Sequence, residues 1–164
     1  MRARSHIRRF ARREDGAVLA EFGLVLPLML VLFALSIEAA RTFWAYQATI
    51  AGVRDATRYV TRAQDGAICD SASPDLDAWG PALTDMVRNA ADGTPLFPSS
   101  ITVSSVVASV ACVAGDYRQS VVPVATVTAA LEITYPFARV FRLTGLELPT
   151  ANTVVRDSGR IFGT

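Results

Sequence analysis

Residues 16–38 read GAVLAEFGLVLPLMLVLFALSIE, and the whole reading of the chain turns on this run. From Ala17 to Ile37 it holds one charge, Glu21. As a helix these residues span about 31 Å, close to one hydrocarbon thickness. Glu21 and Glu38 bracket 16 uncharged residues. The span therefore fits a bilayer only if Glu21 sits near one interface. A carboxylate at mid-bilayer costs roughly 2.5–3.5 kcal/mol on insertion scales, so an acid in such a segment points to a functional demand.

Outward on the N-terminal side, Arg2, Arg4, Arg8, Arg9, Arg12 and Arg13 face only Glu14 and Asp15, a net of +4 in a chain whose total is +1. A basic flank before an apolar span keeps its side of the chain cytoplasmic. Residues 1–16 then form a cytoplasmic leader, 17–37 the transmembrane part of a long helix, 38–62 its extramembrane part, and 63–164 a small exported α+β domain. The basic leader as a nucleic-acid arm is the weaker reading, because it abuts a span that holds it at a membrane. The chain contains no lysine, which excludes Schiff-base and Ser-Lys chemistry.

Three accounts of this N-terminus compete. A signal peptide cleaved after Ser36, at "ALS", fits the basic head but not the acid near the front of the apolar run. An uncleaved signal anchor fits the length and leaves Glu21 unexplained. In the third, a peptidase on the cytoplasmic side cuts between Gly16 and Ala17. Glu21 is then the fifth residue of the mature chain, on one helical face with the new α-ammonium. In a packed assembly it can also meet the ammonium of the next subunit.

The leader ending in Gly16, the start AVLAEF with Glu21-Phe22, and the following GLVLP resemble the TadE-like pseudopilins of the tight-adherence (Flp) pilus, a branch of the type IV pilin superfamily. The resemblance continues through EAARTFWAYQATIAGVRDATRYVTR (38–62) and returns weakly at ANTVVRD (151–157). It implies prepilin-peptidase processing at Gly16 and Ala17, and assembly through Glu21 and Phe22. Ala17 departs from the Phe or Met that starts many type IV pilins. Pro27 removes one helical hydrogen bond and leaves the Gly23 carbonyl without its donor, so these two residues mark a kink or a packing notch.

Past the span, Phe43, Ile50 and Thr57, and Tyr46, Val53 and Val60, recur every seven residues and predict a buried stripe on a helix running to about Thr61. Trp44 and Tyr46 fall where an outer interface is expected. Arg54, Arg58 and Arg62 form an i,i+4 row. The acids of DGAICDSASPDLD (65–77) fit no EF-hand spacing, and no metal or other cofactor is expected. Asp75 is placed to cap a helix reaching about Ala91. Residues 99–113 and 126–135 predict strands, the second alternating Val127, Ala129, Leu131, Ile133 and Tyr135 with polar neighbours. PFARVFRL (136–143) predicts a short helix and 152–162 a last strand. Cys69 and Cys112, an even pair on the exported side, predict a disulfide.

The fold class expected is α+β and pilin-like, a long N-terminal helix packed on a small antiparallel sheet. The sole histidine, His6, lies in the leader, and CxxC, HExxH, phosphate-loop and GxSxG patterns are missing from the sequence, so catalysis is not expected. The reading is a minor pseudopilin-like subunit of the bacterial inner membrane with a periplasmic C-terminal domain. Its partners would be the prepilin peptidase and other pilins, not nucleic acid or a small-molecule substrate. A periplasmic binding or adaptor domain on an uncleaved anchor, or a protein released by signal peptidase, remain open alternatives.

Overall fold

The computed structural model describes residues 15–115, 120–142 and 145–163. The basic leader, with His6, falls outside them. Helix α1 (Asp15–Ala63) runs unbroken through Pro27. Two single-turn 3-10 helices follow, Ile68–Asp70 and Asp77–Trp79, then α2 (Gly80–Arg88), β1 (Ile101–Ala114), β2 (Val121–Ile133), α3 (Ala138–Arg142) and β3 (Ala151–Arg160). The three strands form one antiparallel sheet in the order β1-β2-β3. The molecule is α+β, as the sequence predicts.

The chain divides into two compact units. One holds the described residues of Met1–Ala40 with Phe137–Glu147; the other holds those of Arg41–Pro136 with Leu148–Thr164.

The second unit contains the core. Along β2 the side chains at 123, 125, 127, 129, 131 and 133 are buried, and those between them face outward. This is the half-buried alternation expected of a strand solvated on one face. The buried face packs against Ala45, Val53, Ala56 and Val60 of α1, and Leu83 and Val87 of α2 complete the cluster. A register shift between Val103 and Ser105 inserts an extra residue into β1.

The predicted seven-residue stripe on α1 is half right. Val53, Thr57 and Val60 are buried, but Phe43 and Tyr46 are exposed and Ile50 only half-buried. The buried line runs instead through Ala45, Thr49, Val53, Ala56 and Thr57, Val60 and Thr61. Small side chains win because the neighbouring backbones lie close. A Cβ on Gly52 would stand 3.1 Å from Val87 Cα, and one on Gly159 would stand 3.0 Å from Thr61 Cγ2. The buried threonines cost little, because Thr49 and Thr57 donate back to the carbonyls of Ala45 and Val53 at 2.8 and 2.9 Å.

Helix α2 stops at Arg88 rather than near Ala91. Asn89 is extended and pairs with Pro95 across a turn at Gly93, whose φ is 81°. Asp75 does not cap α2; its carboxylate accepts the Asp77 N–H in an Asx turn before the 3-10 helix. The C-terminus returns to the end of α1. The Phe162 N–H donates to Thr61 O and the Gly66 N–H to Gly163 O, at 3.0 and 2.9 Å. Gly163 has no room for a side chain, since a Cβ there would lie 2.2 Å from Gln64 O.

Candidate functional site

Gly16 and Ala17 lie in the first turn of α1, with Glu21 and Phe22 one turn further on. A Cβ at Gly16 would meet nothing within 4 Å. No described residue demands a glycine at this position.

From Ala17 to Leu30 every residue is exposed, Leu24 by 80% and Phe22 by 58%. A continuous band of this kind does not persist against water and marks a membrane or partner surface. This one helix is long and apolar enough to cross a membrane. Glu21 lies within the band, so its carboxylate shares the apolar surroundings the band selects. Pro27 leaves the Gly23 carbonyl without its helical donor, and a Cβ at Gly23 would also meet nothing within 4 Å.

At the other end of the apolar window lies a residue that the sequence reading treated only as a bracket. Glu38 is buried, and its Oε1 accepts the Phe137 N–H at 2.8 Å across 99 residues of sequence. Ala34, one turn earlier on the same face, is the other buried position between residues 16 and 40. No sequence signal distinguished Glu38, because a carboxylate just past an apolar window looks like the first solvated residue.

In the second unit, Cys69 and Cys112 are joined, with their Cα atoms 5.8 Å apart. The bridge ties the first 3-10 helix to β1 and closes 43 residues. Trp44 stacks edge-on against Phe97 at 6.1 Å instead of standing alone, and Trp79 donates to Gln64 Oε1 at 2.9 Å. Of the arginine row, Arg58 lies 3.7 Å from Asp55 in a strongly exposed pair worth little to stability. Arg58, Arg62, Asp55, Tyr59 and Met86 line an open groove of about 530 Å³. Asp65, suggestive of a cation loop, uses its carboxylate to accept the Ala67 N–H, and among the described residues no three ligating side chains converge on a metal position. The Asp92 carboxylate accepts both the backbone N–H and the hydroxyl of Thr94, which holds its pKa below the ordinary 3.8.

The comparison with protein families gives this geometry a context. Residues 16–58 match the model of the TadE-like protein family. The match opens at Gly16, covers the apolar band, and runs on through most of the helix half that carries the core. It ends before the sheet. No curated protein and no solved structure matches the chain.

Proposed function

We propose that the chain is a minor pseudopilin-like structural subunit that takes part in assembling a tight-adherence (Flp) pilus or a related secretion apparatus. A prepilin peptidase removes the leader after Gly16. Ala17 supplies a new α-ammonium, and Glu21 docks on such an ammonium within the assembly, with Phe22 packing beside it. The helix holds the subunit in the inner membrane with its N-terminus cytoplasmic and its sheet domain periplasmic until other pilins take it up. Its role is structural, not catalytic.

The observation that carries this reading is the TadE-like match, which opens at Gly16, immediately before the apolar run that starts at Ala17. Glu21 follows as the lone ionisable group in that band, where an unpaired charge has a strong drive toward a partner. The Gly23 notch beside Pro27 gives a neighbouring helix room to approach a carbonyl in need of a donor.

The test is Glu21→Gln, which removes the charge and keeps the shape. Membrane insertion, judged by carbonate extraction, is expected to be unchanged, while surface pili fall in number or vanish under electron microscopy. Normal piliation in this variant would end the docking role.

A further inference from the structure

We propose that α3, with Leu146 tied to its end, forms a second membrane contact, an interfacial foot that rests on the leaflet at the residue-38 end of the span and binds lipid headgroup phosphates through Arg139 and Arg142. This rests on α1 being a membrane span.

The first unit contains α3 alongside the apolar half of α1. The Glu38–Phe137 hydrogen bond pins the start of α3 to the first residue beyond the apolar window Ala17–Ile37. The level of α3 is thereby set at the edge of the hydrocarbon. That is the depth at which interfacial helices sit, their apolar side some 5–10 Å into the headgroup boundary.

The composition of the segment suits that depth. Phe141 is buried and Phe137 and Val140 are half-buried, while Arg139 and Arg142 are exposed. The Gly145 N–H donates to Arg142 O and the Leu146 N–H to Phe141 O, both at 3.1 Å, with Gly145 at φ 80°. These two bonds tie Leu146 back to the end of α3. Leu146 is 58% exposed. A large aliphatic residue held out beside two guanidinium groups is poorly placed in water. It is well placed at a phospholipid surface, where the side chain enters the acyl boundary and the arginines meet phosphate oxygens. Glu147 is the one acid on the turn.

The full chain, reconstituted into phosphatidylglycerol vesicles, supplies the test. Both native cysteines are bridged, so a third takes an environment-sensitive fluorophore selectively. Labels are placed at Leu28→Cys in the span, at Leu146→Cys, and at Ala91→Cys in an exposed turn. The Leu146 label is expected to be quenched by lipids carrying a nitroxide near the headgroup and shielded from aqueous iodide; the Ala91 label should show the opposite. Adding Arg139→Gln and Arg142→Gln should lower the ratio of surface-bound to detached Leu146 label by about fivefold per arginine. Iodide reaching Leu146 while Leu28 stays lipid-quenched would overturn the foot alone. Iodide reaching Leu28 would overturn the span and the foot with it. A Leu146 label shielded from both quenchers would show a protein neighbour in place of lipid. Lipid quenching unmoved by the arginine changes would refute the phosphate contact.

Discussion

The two halves of α1 obey different solvents. Between Ala17 and Ala40 the helix buries only Ala34 and Glu38 and exposes Leu, Val and Phe in every direction. Between Arg41 and Ala63 it buries a narrow line of Ala, Val and Thr and turns Arg54, Arg58 and Arg62 outward. Glycine shows the contrast most plainly. Gly16 and Gly23 border open space, whereas Gly52 lies against the α2 backbone. In the first half the sequence suits an apolar surface outside the chain. In the second it selects for what the chain folds against.

Substitutions can break that contrast. The largest effect is expected from Cys69→Ser with Cys112→Ser, which releases a 43-residue loop and should cost about 4 kcal/mol in the chain-entropy model. Urea unfolding of the detergent-solubilised full chain, followed by near-UV circular dichroism, measures it. Leu131→Ala, in the centre of the buried strand face, should cost about 3 kcal/mol in the same assay. The paired change Leu24→Ala should stay within about 0.5 kcal/mol, since that side chain touches solvent or detergent. A comparable loss at Leu24 would show that the first half folds against the chain after all.

Gly52→Ala and Gly23→Ala sharpen the comparison at smaller scale. The first forces a Cβ to 3.1 Å from backbone and should cost about 1 kcal/mol, the crowding partly offset by alanine's helix propensity. The second should leave the unfolding midpoint unchanged or raise it slightly while weakening any helix–helix contact made at the notch.

The smallest effect concerns Asp92, whose pKa is lowered chiefly by the Thr94 N–H. A carboxyl with a lowered folded pKa adds stability above its unfolded pKa, and that contribution is lost as pH falls through the folded value. Asp92→Asn should therefore lower stability slightly at pH 7, change it less at pH 3, and so flatten the acid end of the stability profile. Urea midpoints at pH 7 and pH 3 check it.

Much of this was legible in the sequence because its signals are local. The apolar window of 17–37 and the alternation of Val127, Ala129, Leu131 and Ile133 each need only neighbouring letters, and the cysteine pair needs only a count of two on one side of the span. The stripe on α1 was misread because large side chains drew attention at Phe43 and Tyr46, whereas a close approach at Gly52 and Gly159 demands small ones. Glu38 escaped for a different reason: its partner is 99 residues away, and an acid after an apolar window looks like the return to water. Gly163 and the C-terminal return to α1 are equally nonlocal. At the candidate site, Gly16, Ala17, Glu21 and Phe22 follow from the charge pattern and the TadE-like resemblance, and the fold adds only their place in the first turns of α1.

Processing is the step from which the rest follows. N-terminal sequencing and intact mass of the protein purified from membranes, with and without the prepilin peptidase gene, read it directly. The expected result is a chain beginning at Ala17 that reverts to Met1 when the peptidase is absent. A chain beginning at Met1 in wild-type cells would leave Glu21 without its ammonium, and one beginning at Ile37 would lack Glu21 altogether; either would contradict the assembly role.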